Sequence, residues 1–174
     1  NVGLFGNNLY GGVIHNLGLE NVWMVGIDGV GGLVGISSGF VSYCYTTGAV
    51  FGTMSVGGLA GSSDMGLFGW SYSTARVAGG LWVGGFVGFL NSSLIGFCYS
   101  LSSVQGSKQV GGFFGYGYGA TILHCYSAGQ VSGSMEVGGF SSVGANSYSC
   151  YWDKDTSGQN SSYCGIGKTT VEMQ

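Results

Sequence analysis

The hexapeptide Val83-Gly84-Gly85-Phe86-Val87-Gly88 is one of five copies of a pattern that decides the fold of this chain. The copies begin at Val30, Val56, Val83, Val110 and Val137, which gives a period of about 27 residues. A second marker, a Cys-Tyr or Ser-Tyr pair, follows each copy at nearly the same period, beginning at Cys44, Ser71, Cys98, Cys125 and Cys150. Two markers with one period indicate a repeat architecture in which each unit packs against its neighbours.

The composition is that of a folded chain with few charges. Glycine accounts for 38 of 174 residues, proline is absent, 45% of the residues are hydrophobic and only 6% are charged. Disordered chains show the opposite balance. With four Lys and Arg residues and a formal net charge of -3, the chain is not expected to bind nucleic acid. The uncharged stretch 77–90 is too short for a membrane-spanning helix and coincides with one repeat copy, so no span is predicted.

A single repeat, such as 110–136, has the pattern of β-structure. Its runs VGGFFG, TILHCYS and GQVSG predict three short strands, with glycines at corners of positive φ. A propeller blade would need about 40 residues and four strands. We therefore predict an all-β parallel β-solenoid, one domain over 1–174, of about six coils: 1–29, 30–55, 56–82, 83–109, 110–136 and 137–174, with an exit loop from about residue 150.

Stacked coils turn repeated positions into columns. One column would hold Tyr45, Tyr72, Tyr99, Tyr126 and Tyr151, the next Cys44, Ser71, Cys98, Cys125 and Cys150, and a third Val50, Val77, Val104 and Val131. Neighbouring residues of a strand point to opposite faces. We expect the small Cys/Ser column inside and the tyrosines outside, because buried hydroxyls of tyrosine would need partners.

These residues resemble the GLUG-motif repeat proteins. The Gly-Leu-hydrophobic-Gly core of that family stands here as Gly32-Leu33-Val34-Gly35 and, in variants, at 58–61, 85–88 and 112–115, and the companion Cys-Tyr and Gly-x-Val-x-Gly pattern spans 125–133. Segments 150–159 and 165–170 are similar to its exit segment. Ser71 and Ser141-Ser142 depart from the pattern. The resemblance implies a secreted or surface-exposed, adhesin-like bacterial protein whose repeats are not catalytic.

No enzyme site, cofactor or metal is predicted. The carboxylates do not share a phase of the repeat, and His15 and His124 lie four coils apart; the acids are Glu20, Asp28, Asp64, Glu136, Asp153, Asp155 and Glu172. A glycosidase needs two carboxylates at a fixed separation. Residues 165–170 (GIGKTT) are similar to the end of a phosphate loop, but Ser162 stands where that motif requires glycine.

Three weaker sites occur near the end of the chain or in the repeats. Asp153 and Asp155 before Gly158 could begin a calcium loop, but Cys164 stands where a bidentate acid is expected, so a turn capping the last coil is favoured. Without CxxC spacing zinc is not expected, and Cys150 with Cys164 is the candidate disulfide. Asn91 and Asn160 begin glycosylation sequons, which matter only where the producing organism modifies them.

Two functions follow from this sequence. The first is a rigid extracellular scaffold or the building block of a surface fibre, with coils stacking end to end on other copies or on the rest of a longer chain. It rests on the near absence of charge and on ends without an evident apolar cap. The alternative is an adhesin module that binds glycan or host protein through its outer aromatic residues, since 25 of 174 residues are aromatic.

Overall fold

Each repeat unit winds once around a three-sided coil in the computed structural model, which describes residues 1–174. The predicted β-solenoid is confirmed, because all strands pair in parallel with strands of the preceding and following coils. The register equals the repeat: Val77 pairs with Val104, and Val104 with Val131. None of the helices has the length and apolarity needed to cross a membrane.

Two sheets of six strands form two sides of the coil. The first sheet contains, in stacking order, Phe5–Asn8, Val34–Ser37, Ala60–Asp64, Val87–Asn91, Phe114–Tyr118 and Ser141–Val143. The second sheet contains Val13–His15, Phe40–Ser42, Leu67–Gly69, Leu94–Gly96, Thr121–Leu123 and Asn146–Tyr148.

A third sheet of twelve strands forms the remaining side. Its strands are Gly18–Val25, Asp28–Gly31, Tyr45–Phe51, Met54–Gly57, Tyr72–Ser73, Arg76–Gly84, Tyr99–Ser100, Val104–Gly111, Tyr126–Ser127, Val131–Gly138, Tyr151–Asp153 and Ile166–Lys168. One helical turn, Lys154–Ser157, and a 3-10 turn, Val171–Met173, follow the last full coil.

Strand limits and corners differ from the sequence prediction. The run TILHCYS is divided by His124, and the run GQVSG continues to Gly138. Corners of positive φ were expected at glycines, yet most of them hold other residues, including a column of Asn16, Tyr43, Trp70, Phe97, His124 and Ser149 with φ of 47–56°. Left-handed backbone is unusual for bulky side chains, so the stacking of neighbouring coils must hold these corners.

The glycines of the hexapeptide are required by close packing rather than by backbone angle. A Cβ on Gly85 would lie 2.2 Å from Ser100 Oγ and 2.3 Å from the Gly112 carbonyl oxygen. On Gly84 it would lie 2.0 Å from the Val87 carbonyl oxygen, and on Gly88 2.4 Å from the Val56 amide nitrogen. The pattern Val-Gly-Gly-x-x-Gly therefore marks the place where the chain passes from the third sheet to the first with backbone against backbone.

The interior consists of stacked columns. Phe86, Phe113 and Phe140 are fully buried and stack with centroids 4.9 Å apart and ring planes within 7°. A separate cluster consists mainly of valines from the strands of the third sheet, including Val77 and Val104. Columns of this kind explain why the repeat length is nearly constant, since a one-residue slip would turn the core side chains outward.

Buried hydroxyls cross the interior to reach backbone carbonyls. Thr46 donates to the Gly58 carbonyl at 2.8 Å, and Ser127, further along the same column, donates to Gly139 at 2.9 Å. No buried polar side-chain atom lacks a hydrogen-bond partner. These bonds tie the third sheet to the glycine turns, since an unpaired buried hydroxyl would be destabilising.

The two ends of the rod are not equivalent. Leu4 and Phe5, in the first coil, are 52% and 39% exposed, although the residues next to them in these columns are fully buried. At the other end Trp152 takes the column position of Ser127, is 3% exposed and packs on Gly139. The expectation of an end without an apolar cap is therefore wrong there, because Trp152 fills the end of the core.

Candidate functional site

The tyrosine column lies on the outer surface and forms a continuous stack. Ring centroids are 5.0 Å apart for Tyr45 and Tyr72, 4.7 Å for Tyr72 and Tyr99, and 5.0 Å for Tyr99 and Tyr126, with planes within 8°. The stack ends at Tyr126, because Tyr151 is its partner in the next strand but the two rings are not stacked. The column follows directly from parallel strands whose register equals the repeat.

A second outer column was missed from the sequence. Tyr43, Trp70, Phe97 and His124 stack at 5.1–5.4 Å with planes within 15°. They occupy the left-handed corner positions and are exposed, Trp70 and Phe97 each at 51%. These four positions recur at the period of the repeat in the sequence. The column was missed because its residue type changes from Tyr to Trp, Phe and His.

The two columns form one exposed surface with the second sheet, which we call the aromatic face. It consists of the two aromatic columns and the outward residues of the second sheet: Tyr43, Trp70, Phe97, His124, Tyr45, Tyr72, Tyr99, Tyr126, Val13, Phe40, Leu67 and Leu94. The aromatic face contains no Asp, Glu, Lys or Arg side chain. Extended apolar surface of this kind is unusual on a free monomer and is typical of interaction sites.

The geometry limits what the aromatic face can bind. Each inner ring has a neighbour on both faces at about 5 Å, so Tyr72 and Tyr99 present only their edges and hydroxyls to solvent. The edge of an aromatic ring carries partial positive charge, and its face carries partial negative charge. A sugar ring could not stack on these inner tyrosines, whereas a flat apolar protein surface could still cover them.

Three tyrosines of the stack, Tyr45, Tyr99 and Tyr126, have a raised pKa. Burial, and then the neighbouring hydroxyls of Tyr72 and Tyr126, raises the pKa of Tyr99. Burial also raises the pKa of Tyr126, and a hydrogen bond to Glu20 at 3.1 Å raises that of Tyr45. These three phenols therefore stay neutral across the physiological pH range.

The Cys/Ser column lies inside, with every member at most 2% exposed. Each Sγ or Oγ bonds the carbonyl two residues earlier, as Cys98 does to Gly96 at 3.2 Å and Ser71 to Gly69 at 2.9 Å. It also accepts from the amide of the preceding coil, as Cys98 Sγ does from Ser71 N at 3.4 Å. Serine thus substitutes for cysteine with its hydrogen bonds intact.

The thiols are unpaired and poorly reactive. All five cysteines are free, so the Cys150–Cys164 bridge considered from the sequence is not formed in this structure. Cys164 Sγ lies 3.0 Å from Ser141 Oγ instead. Burial raises the pKa of the Cys125 and Cys164 thiols, and a hydrogen bond with Cys125, together with burial, raises that of Cys150. A thiol with raised pKa is a weak nucleophile.

The carboxylates considered for calcium are used within the exit segment. Asp153 Oδ1 accepts from the amides of Asp155 and Thr156 and so caps the helical turn, while its Oδ2 accepts from Thr170 Oγ1 at 2.7 Å. Asp155 Oδ2 accepts from Thr170 N at 2.9 Å. No group of three or more His, Cys, Asp or Glu side chains is placed to hold a metal ion.

The remaining sequence motifs lie apart from one another and do not form a common site. Segment 165–170 contains the last strand, Ile166–Lys168, and a 3-10 turn follows it in place of the helix of a phosphate loop. His15 Nδ1 lies 3.0 Å from Asn16 Nδ2, and His124 stacks on Phe97. Of the two sequons, Asn160 is exposed, and Asn91 donates to Asp64 at 2.7 Å.

A cleft opens where the tyrosine stack ends. Its volume is about 510 Å³, and Tyr126, Tyr151, Asp153, Lys168, Thr170 and Glu172 are among its lining residues. The pKa of Glu172 is lowered by hydrogen bonds from Thr169, and less strongly by the charges of Lys168 and Lys154. No sequence pattern pointed to this cleft, because the returning exit segment brings its residues together.

The comparisons with known proteins agree with the fold. No family model matches the chain, so the GLUG resemblance stays a prediction. The crystal structure of a protein from Bacteroides ovatus, titled a "putative immunoglobulin A1 protease", superposes with a TM-score of 0.71 at 21% identity over 94% of this chain and 68% of that one. At this identity the likeness shows the β-solenoid fold alone.

One curated protein also matches part of the chain. A segment of 64 residues is 41% identical to Halomucin from Haloquadratum walsbyi, which corresponds to 37% of this chain and 1% of that protein. The chain thus spans a very small part of the relative that it matches.

Proposed function

We propose that this domain is a rigid, non-catalytic repeat scaffold of a secreted or cell-surface protein. The observation that carries the proposal is the unbroken register of the third sheet, where Val77, Val104 and Val131 follow one another at the period of the repeat. In such a stack each coil is held by its neighbours, and the length of the rod depends only on the number of coils. The secreted setting rests on the resemblance to GLUG-motif proteins.

What repeats along the rod supports a structural role. The columns contain valine, phenylalanine, tyrosine, cysteine and serine, and no Asp, Glu, Lys, Arg or His recurs at one position of successive coils. A catalytic surface would need convergent acids, bases or nucleophiles with shifted pKa values in a cleft. The buried thiols are the most strongly shifted groups, and their raised pKa values work against nucleophilic chemistry.

A scaffold within one chain is favoured over a fibre in which copies of the domain stack end to end. Head-to-tail stacking of copies would require an uncovered core at both ends of the rod. Trp152 is buried after the last full coil, and the strand of the exit segment pairs beyond it, so the core is covered on that side. Electron microscopy of the purified domain at high concentration tests this, since long filaments would restore the fibre hypothesis.

Adhesion through the aromatic face is the second candidate. It is favoured by the exposure of Trp70, Phe97 and Leu67, which are 51%, 51% and 45% accessible on one side of the rod. Because ring faces in the columns cover each other, the matching partner is an apolar protein surface. Binding to a host protein that Trp70→Ala abolishes, while Trp23→Ala on another surface does not, would support it.

Spin labels measure the rigidity on which the scaffold role depends. Val13 and Asn146 are exposed and stand five coil intervals apart in the second sheet, which corresponds to about 24 Å. Labels at Val13→Cys and Asn146→Cys, in a Cys164→Ser background that leaves only buried native thiols, should give one narrow distance distribution. A broad distribution would contradict a rigid rod, and fragments of immunoglobulin A1 after incubation with the domain would contradict a non-catalytic role.

A further inference from the structure

The cleft at the end of the tyrosine stack differs from the rest of the aromatic face in exposing a ring. Tyr126 stacks on Tyr99 at 5.0 Å on one side and has no stacked ring on the other, although Tyr151 is its partner in the next strand. Both tyrosines line the cleft, and each is 36% exposed. Tyr45, at the other end of the stack, also has one ring neighbour, but Gly18 lies against its ring, so Tyr126 is the tyrosine of the stack against which a flat ligand could lie.

Some polar groups of the cleft already make hydrogen bonds within the chain, and others do not. Asp153 and Thr170 are hydrogen-bonded to each other, and one oxygen of Glu172 accepts from Thr169. The hydroxyls of Tyr126 and Tyr151, the ammonium of Lys168 and the amide of Gln174 have no hydrogen-bond partner within the chain although they line the cleft. Several donors beside an aromatic ring suit a ligand that carries many hydroxyl groups and an apolar face.

The cleft contains charged side chains of both signs. Lys168 lies close enough to Glu172 to favour its ionised form, and the carboxylate of Asp153 lines the same wall. An anionic ligand would meet these two carboxylates, and a cationic one would meet Lys168. A neutral ligand meets neither penalty, and the volume of about 510 Å³ falls within the range of small-molecule sites.

We infer that this cleft binds a neutral saccharide unit, with one sugar face against Tyr126 and its hydroxyls bonded to Tyr151, Lys168 and Gln174. The inference does not depend on the scaffold role, and it assigns to one cleft the glycan binding that the inner tyrosines cannot provide. Because stacking on one ring and a few hydrogen bonds carry the interaction, the affinity for a single sugar is expected to be millimolar.

Ligand-observed saturation-transfer NMR tests the site with the methyl glycosides of glucose, galactose, mannose and N-acetylglucosamine. At least one glycoside should show transfer, and Tyr126→Ala should weaken its binding about fivefold to tenfold. Tyr72→Ala is the matched control, since Tyr72 has a ring neighbour on both faces and its loss disturbs the stack at least as much. Lys168→Met and Gln174→Ala should weaken binding without lowering the melting temperature.

Several results would overturn this inference. Absence of transfer to all four glycosides at millimolar concentration would remove the site, as would equal weakening by Tyr72→Ala and Tyr126→Ala. Preferential binding of choline, used as a cationic probe, would show that the tyrosines and carboxylates act as a cation site. Each of these outcomes leaves the rigidity measured by spin labels unaffected, so this inference and the scaffold proposal can fail separately.

Discussion

Substitution of Gly85 by alanine tests the packing that produces the repeat. The new Cβ would lie 2.2 Å from Ser100 Oγ and 2.3 Å from the Gly112 carbonyl oxygen, and the second of these is backbone in the next coil. Because φ at Gly85 is not positive, backbone strain would not contribute to the effect. Overpacking of this kind destabilises by about 1–3 kcal/mol. At about 2–4 °C per kcal/mol for a domain of this size, the melting temperature should fall by roughly 2–12 °C.

Gly96→Ala is the matched control for this experiment. The nearest atom to its Cβ is the Leu123 carbonyl oxygen at 3.8 Å, and its φ is not positive either. Removing a glycine without strain reduces the entropy of the unfolded chain and stabilises by about 0.4–1 kcal/mol. Differential scanning calorimetry should therefore show changes of opposite sign. Equal melting temperatures for the two variants would refute the claim that the hexapeptide glycines are fixed by contact between coils.

Three further predictions concern the end of the rod, the cysteine column and the tyrosine stack. Trp152→Ala should lower the free energy of unfolding in urea by about 3–5 kcal/mol because it empties the end of the core, whereas Trp23→Ala, at an exposed position, should change it by less than about 0.5 kcal/mol. Cys98→Ser should cost less than about 1 kcal/mol by the same measurement, since Ser71 already makes the equivalent bonds, and a larger loss would show that the column requires sulfur. The pKa of Tyr99 is raised in the folded state, so the unfolded state loses this proton first as the pH rises. The contribution of Tyr99 to the free energy of unfolding is therefore fully present below about pH 10 and falls as the pH rises further. Urea titrations from pH 8 to 11 should show this fall, and Tyr99→Phe should make it shallower; an identical fall in the variant would place its cause elsewhere.

The near-constant period of the repeat was sufficient to predict the fold, because parallel in-register stacking is what a constant repeat requires. The role of the glycines was not predictable in the same way. A glycine at a corner and a glycine under a neighbouring backbone look alike in sequence, and only the coil geometry shows that Gly85 is of the second kind. The positions of Trp70 and Phe97 were not predictable either. Both stand at corners with an unfavourable positive φ, where their rings stack on each other.

The candidate sites were less predictable than the fold. The Tyr and Cys columns could be identified because their residue types recur with the period. The corner column varies in residue type, and the cleft beside Tyr126 depends on how residues 166–174 return to the last coil, where the repeat has ended. Periodicity gives no information about a segment that does not repeat.

Duplication of one whole repeat tests the central claim most directly. Inserting a second copy of residues 83–109 after residue 109 preserves every column, so the variant should fold, unfold at an equal or higher temperature, and be longer by about 4.8 Å in its crystal structure, with one more ring in the tyrosine stack. Inserting a second copy of 83–95 alone would break the register and should prevent folding. A variant with the full duplication that does not fold, or a half-repeat variant that folds as well as the parent, would contradict a scaffold built from interchangeable coils.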